Sequence, residues 1–251
     1  MKIKHGSLFT GIDVFGEAAK ENGFSNEFGC DIDPLSRQMF IEKNKGKPFW
    51  GDIREVQNIP YVDLLTFGFP CQDVSQAQPI KNNNPLYEGE RTILFWEAMR
   101  IVDASQKPTF IIAENVEALR WKGLEKVLTC FAESGYISTY ATLCASKFGA
   151  SHRRARVFII AHTDRFRWDT GIRIFRKVVT EGKNTGNIRT EFHSSFFDQI
   201  RTQAQRRGYG DYNEPTQRLF DGMLVKATGN AIYYPIAQAL TREVSQTLKN
   251  I

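Results

Sequence analysis

Pro70-Cys71 closes the apolar run Val62-Asp63-Leu64-Leu65-Thr66-Phe67-Gly68-Phe69. A run of this kind reads as a buried parallel strand. Pro70 has no N–H and a fixed φ, so it stops the strand and sets the angle at which the next residue leaves it. The thiol of Cys71 therefore falls at the carboxyl end of a strand, where α/β enzymes place reactive groups. Residues 72–91 are polar and rich in Asn and Pro. They read as a long loop, and long loops in compact domains usually serve function. Taken alone, these residues leave two readings open. Cys71 is either a nucleophile at the root of a lid or a buried structural cysteine.

Four further groups have the right chemistry for a site. The first strand ends in Phe9-Thr10-Gly11-Ile12-Asp13, and a glycine there lets a cofactor approach the backbone closely. Asp31 follows at the end of the second strand, at a spacing that suits a carboxylate on a ribose hydroxyl, and Asp52-Ile53 precedes the third. These acids at the switch side of a sheet point to an adenosine-type cofactor. The pattern is not G-x-G-x-x-G, which disfavours a nicotinamide cofactor, and G-K-[ST] is absent, which excludes a P-loop. Glu114 ends the apolar run Phe110-Ile111-Ile112-Ala113; it is either an exposed strand-end acid or a carboxyl at a cleft, where partial desolvation raises the pKa and suits acid chemistry. Arg154 and Arg156 share a side if their segment is extended. They then face either anions in a cleft or solvent at a basic strand edge.

These groups need a frame that carries strand ends to one place. Strands are expected at Ile3–Leu8, Asn26–Asp31, Val62–Phe67, Thr109–Glu114, Ile137–Leu143 and Val157–His162. Helices are expected at Val14–Asn22, Pro34–Lys43, Ile93–Ser105 and Gly123–Ser134, with Asp33-Pro34 as N-cap and first helical residue. The alternation implies an α/β fold, a doubly wound, mostly parallel sheet with helices on both faces. Between Thr163 and Gly222 there are 11 Lys/Arg, eight Asp/Glu and nine aromatic residues, with poor apolar periodicity. This stretch is expected to form a small lobe leaning on the main domain. A helix over Ile236–Leu248 follows a Gly229-Asn230 turn. The division is thus 1–162, the main α/β domain; 163–222, a small lobe or a solvated insertion with no role of its own; and 223–251, a helical segment.

The 251 residues are 41% hydrophobic and 24% charged, ordinary for a globular protein, and the net charge of +5 permits a nucleic-acid partner. The four cysteines, Cys30, Cys71, Cys130 and Cys144, have no zinc-ligand spacing and form no disulfide framework. No metal is expected. With no signal-peptide or membrane-length stretch, a cytoplasmic protein is expected.

The order of the motifs is more specific than any one of them. Phe9-Thr10-Gly11, Asp31, Asp52, Gly68-Phe69-Pro70-Cys71-Gln72, Glu114-Asn115-Val116, Arg154-Ala155-Arg156 and Gly229-Asn230-Ala231-Ile232 follow one another. This resembles the cytosine-C5 DNA methyltransferase family over residues 3–162 and about 215–245, in its short phage and bacterial form. The resemblance implies a Rossmann-like sheet that binds S-adenosyl-L-methionine. Phe9, Gly11, Ile32 and Pro70 match its cofactor-side positions, Asp31 the ribose-binding acid, Asp52 and Ile53 the pair at the adenine, and Asn230 and Ala231 the late motif. Cys71 matches the nucleophile that adds to C6 of a flipped-out cytosine. Glu114 matches the acid at N3 and the exocyclic amine, Arg156 the contact to the base carbonyl, and Arg154 its supporting arginine. Residues 72–91 match a mobile lid, and 163–222 the target-recognition region. The implied partner is double-stranded DNA at a short site. A separate cognate restriction endonuclease and a monomeric state fit the same reading.

Three features depart from the family pattern. Asp13 stands where a second glycine is usual, placing a carboxyl beside the expected position of the cofactor carboxylate. His152-Arg153-Arg154 replaces Gln-x-Arg, and Arg218-Leu219-Phe220-Asp221-Gly222 replaces the usual penultimate motif. Three other readings compete. A transfer-RNA methylase would carry a Cys-Phe-Thr-x-x-Tyr element, which is absent. An amino-methyltransferase would carry a Pro-Pro-Tyr type motif in place of Pro70-Cys71-Gln72. A DNA-binding module without catalysis would have no need of Cys71, Glu114 and Arg156.

Overall fold

The computed structural model describes residues 2–70, 93–184 and 232–250. Three of the sequence-expected site residues, Cys71, Asn230 and Ala231, lie outside them, as do residues 72–91, expected from the sequence to form a loop, and most of 163–222.

Seven strands form one sheet in the order β3-β2-β1-β4-β5-β7-β6. They are β1 (Ile3–Leu8), β2 (Phe24–Cys30), β3 (Phe49–Trp50), β4 (Leu64–Gly68), β5 (Phe110–Val116), β6 (Ile137–Cys144) and β7 (Ala155–His162). The helices are α1 (Val14–Glu21), α2 (Pro34–Lys43), α3 (Ile93–Ala104), α4 (Leu119–Lys122), α5 (Leu124–Glu133), α6 (Thr170–Asn184) and α7 (Tyr234–Lys249). The expected doubly wound, Rossmann-like sheet is what forms. Strands β1 to β5 pair in parallel, and the order reverses between β1 and β4, the switch point where such sheets open a crevice. Strand β7 is antiparallel to both β5 and β6. Its first residues therefore arrive at the edge where β1, β4 and β5 end.

Strands β4, β5 and β7 carry near-continuous apolar runs because both faces of the sheet are covered there. Successive side chains divide between the faces, so Ile111 and Ala113 join one core and Phe110 and Ile112 the other. The first core is closed by α3 and α5. Phe95 of α3 packs its ring 5.0 Å from Phe69 and 5.9 Å from Phe131, holding the end of β4 against the helix layer. The second core is closed by α1, α6 and α7. Asn22, the C-cap of α1, donates to the Gln238 carbonyl and Thr241 Oγ1 of α7, and Ser245 Oγ donates back to the Asn22 carbonyl.

Helix α6 falls inside the stretch expected to be a small lobe leaning on the main domain, and its Ile174, Phe175 and Val178 are buried in the second core. Their apolar stripe is interleaved with Arg173, Arg176 and Lys177, which hides it in a composition count. The short β3 and α4 were not foreseen, and β2 begins at Phe24, paired with Ile3, rather than at Asn26.

Candidate active site

The catalytic edge is built by register. Gly68 of β4 pairs with Glu114 of β5, and Glu114 in turn stands opposite Phe158 of β7. Arg156 lies two residues from Phe158 on the same face, a diagonal neighbour of Glu114. The Arg156 guanidinium Nε is 3.2 Å from Glu114 Oε1. Arg154, two residues earlier, acts on Glu114 through its charge as well. Both arginines line a cleft of about 500 Å³ with Val116, Glu117, Ala118 and Arg153. The structure thus places Glu114, Arg154 and Arg156 at one edge of the sheet, a grouping that spacing alone did not give and only the resemblance implied.

Glu114 is only 8% exposed. Burial pushes its carboxyl up to about 7, against the pull of the Arg156 and Arg154 charges. Its Oε1 is buried and accepts no hydrogen bond from the described residues, so one lone pair is held ready beside a guanidinium. A carboxyl poised near neutrality can both donate and accept a proton. The other oxygen, Oε2, rests against Gly68, where a Cβ would lie 3.1 Å away.

Asn115 plays a part that the sequence reading did not assign. Its buried Nδ2 donates to the Phe69 carbonyl at 3.1 Å, and its Oδ1 accepts from Val116 N at 2.8 Å. This ties the end of β5 to the residue before Pro70, and Pro70 is followed in the chain by Cys71. The signal was present in the side-chain type: Asn beside a strand end commonly bonds backbone groups.

On the cofactor side, Phe9 and Gly11 have left-handed φ values of 51° and 54°. Gly11 N donates to Asp31 Oδ2 at 2.7 Å and Asp33 N to Asp31 Oδ1 at 2.9 Å. Burial nevertheless raises the Asp31 pKa. Nothing among the described residues lies within 4 Å of where a Gly11 Cβ would be. Ile32, beside Asp31, is 75% exposed, an apolar side chain held out at the strand end. An open glycine loop, a fixed carboxylate and an exposed apolar residue in one crevice fit the donor and shape requirements of an adenosyl amino acid. Asp52 caps the short 3-10 turn Ile53–Glu55 and is bridged to Arg54, which lowers its pKa. Ile53 turns its side chain into the first core. Asp13 is buried and does not project into the crevice, contrary to its expected place beside the cofactor carboxylate.

The profile of the C-5 cytosine-specific DNA methylase family matches residues 3–218. Type II methyltransferase M2.BsuMI of Bacillus subtilis (strain 168) is 31% identical over 162 residues, 62% of this chain and 41% of that protein. The orphan methyltransferase M.SssI of Spiroplasma monobiae is 37% identical over 135 residues, 50% of this chain and 34% of that one. The chain thus spans less than half the length of these curated relatives. A DNA modification methyltransferase encoded within an E. coli prophage shares the fold at a TM-score of 0.51, 22% identity, 65% of this chain and 47% of its own. The Entamoeba histolytica methyltransferase EhMeth does so at 0.51 and 13%, over 64% and 53%. With the family profile matching most of its length, and Glu114-Asn115-Val116 and Arg154-Ala155-Arg156 meeting at one edge of the sheet, this chain belongs to the C-5 cytosine-specific DNA methylases.

Proposed function

We infer that this chain methylates C5 of a cytosine in a short double-stranded DNA site, with S-adenosyl-L-methionine as methyl donor. The observation that carries the reading is Glu114: a carboxyl titrating at about 7, with one buried oxygen accepting no hydrogen bond from the described residues and Arg156 at 3.2 Å. That is the complement of a cytosine's N3, exocyclic amine and carbonyl.

The Cys71 thiolate adds to C6 of the cytosine, which raises electron density at C5. Protonated Glu114 holds N3 and offsets the charge that builds on the ring, while Arg156 holds the base carbonyl. Arg154 supports Arg156 and adds its charge to the site. After C5 is methylated, loss of its proton lets Cys71 leave. A stacked base cannot reach these groups, so the cytosine is flipped out of the duplex. When bound, S-adenosyl-L-methionine supplies an electrophilic methyl group. Phe9, Gly11, Asp31, Ile32, Asp52, Ile53 and Pro70 are the residues assigned to hold it, with Asn230 and Ala231 from the late motif. The basic and aromatic stretch after α6 is assigned to target recognition, and the loop 72–91 to a lid on the DNA. The protein acts as a monomer, and any cognate restriction endonuclease acts separately.

The test is the 5-methylcytosine content of plasmid DNA from cells that express this chain and lack any cytosine methylase of their own. Methylated cytosine at a defined site is the expected result, abolished by Cys71→Ser while DNA binding persists. Unmethylated DNA from soluble, folded protein, or full turnover by Cys71→Ser, overturns the reading.

A further inference from the structure

The loop from Phe9 to Asp13 is held in an unusual shape. Phe9, Gly11 and Asp13 all take left-handed φ, at 51°, 54° and 60°. Two of the three carry side chains, and a left-handed conformation costs such residues about 1–2 kcal/mol unless the surroundings over-determine it. Thr10 supplies one set of fasteners. Its N and Oγ1 donate to the Cys30 carbonyl at 3.0 and 3.2 Å, and Cys30 N donates to Thr10 Oγ1 at 2.9 Å. These clip the loop to the end of β2, where Asp31 begins the crevice.

The second set runs through Asp13. Its backbone N donates to the Thr10 carbonyl at 3.0 Å, closing the loop on itself. Asp13 is 2% exposed, and its carboxyl turns beneath the loop against Gly16 in the first turn of α1. A Cβ on Gly16 would lie 2.2 Å from Asp13 Oδ1, so the glycine at 16 is what makes room for the acid at 13. Ser7 Oγ and Asn26 Nδ2 approach the two carboxyl oxygens, each at 3.5 Å. Ser7 Oγ is also 3.0 Å from Thr10 Oγ1, which joins the two sets. Beyond Asn26, His5 bridges Asn26 Oδ1 and Thr66 Oγ1, both at 2.8 Å. One buried polar chain thus crosses β4, β1 and β2 and ends under the loop.

We propose that Asp13 is a positioning residue for the methyl donor: its buried carboxyl, seated against Gly16 and reached by Ser7 and Asn26, holds the Phe9–Asp13 loop in the left-handed shape that receives the donor. This rests on the reading above that S-adenosyl-L-methionine binds at Gly11 and Asp31. The usual glycine at position 13 reaches a left-handed φ through its own freedom. Here the same backbone is kept by a side chain anchored from below, with Gly16 as its obligate companion.

The charges around Asp13 give the device a pH dependence. Glu17 and Lys20 face it from α1, Lys43 from α2 and His5 from β1. Glu17 is bridged to Lys20 at 3.4 Å and Lys43 at 3.5 Å, which leaves those cations partly engaged. Burial keeps His5 neutral, with its pKa lowered to about 4. Ionised Asp13 therefore has no full counter-charge at hand, and donor binding weakens as pH rises through the point where Asp13 loses its proton.

The experiment is calorimetric titration of the DNA-free protein with S-adenosyl-L-methionine from pH 6 to 8.5, alongside thermal melts. Wild type is expected to bind, with affinity falling toward the alkaline end. Asp13→Asn should match wild type at pH 6 and lose the pH dependence. Asp13→Ala and Gly16→Ala should each raise Kd about tenfold. Asn22→Ala removes the bonds from the end of α1 to α7, away from the loop and its polar chain, and serves as the stability control, with Kd unchanged at a comparable loss in Tm. Wild-type affinity in Asp13→Ala, an Asn22→Ala variant weakened as much as Asp13→Ala, or an unchanged pH profile in Asp13→Asn overturns the proposal. Failure of wild type to bind at all overturns the donor reading, and this proposal with it.

Discussion

Gly68 and Glu114 face each other across β4 and β5, and a methyl group at position 68 would stand 3.1 Å from Glu114 Oε2. The carboxyl keeps its place because its neighbour has no side chain. Gly68→Ala should therefore push the carboxylate towards Arg156, lower its pKa and reduce the rate of methyl transfer about tenfold or more, with DNA affinity retained. Single-turnover rates on a substrate duplex decide the matter, and a wild-type rate would show that Glu114 does not depend on the space.

The acid role of Glu114 has a pH signature. Burial sets its pKa at about 7, so the protonated, hydrogen-donating form is lost as pH rises through that value. The methyl-transfer rate should carry a falling limb near neutrality. Glu114→Gln, which cannot supply the proton, should be slower by about 10²–10⁴-fold and lack that limb. An unchanged rate in the variant removes Glu114 from this role.

Asn115 holds the Phe69 carbonyl, which is buried just before Pro70. Asn115→Ala leaves that carbonyl unsatisfied, at a cost of about 1–3 kcal/mol. The chain leading to Cys71 should also lose its fixed direction. The expected result is a modest drop in Tm with a disproportionate drop in kcat, read by melting and steady-state kinetics on the same preparation. Equal activity would show that Phe95 and its aromatic neighbours suffice to set the strand end.

Asp13 also contributes to stability, and its sign follows from where it titrates. Its pKa is about 7 in the fold against an ordinary 3.8. Between those values the folded protein keeps a proton that the unfolded chain has lost, so stability falls as pH rises from about 4 to 7. Glu114 adds a slope of the same sign. His5, lowered to about 4, acts oppositely: stability falls as pH drops from about 6.5 towards 4. Asp13→Asn should raise stability at pH 8 by on the order of 2 kcal/mol, a Tm gain of about 4–8 °C, and much less at pH 5. Parallel wild-type and variant curves across that range would refute the assignment.

Much of this arrangement was legible in the sequence, for identifiable reasons. Strands β4, β5 and β7 carry apolar runs long enough to stand out, and Glu114 and Arg156 sit at strand ends where chain direction alone places them. Asp33-Pro34 marked the start of α2, and Asp33 indeed accepts from Leu35 N at 2.9 Å. Helix α6 was hidden because its buried stripe is three residues among many charges. Strand β3 has two residues, too few for alternation to show. The direction of Asp13 could not be read at all: residue type gives a carboxyl, but only the left-handed backbone and the gap at Gly16 turn it inward. Burial of Ile53 and pairing of Asp52 with Arg54 likewise depend on packing rather than on motif order.

The link between Asn22 and α7 bears on how the chain acquires its structure. The partners of Asn22 lie more than 210 residues further along the chain. As the protein is synthesised, Phe15, Ala18 and the outer face of β1 are made early. Their cover, Ile236, Leu240 and Val244, is made after everything else in the sheet. Contacts of such long sequence separation form slowly, and apolar surface awaiting its cover is prone to association. Completion of this face therefore waits on emergence of α7 from the ribosome.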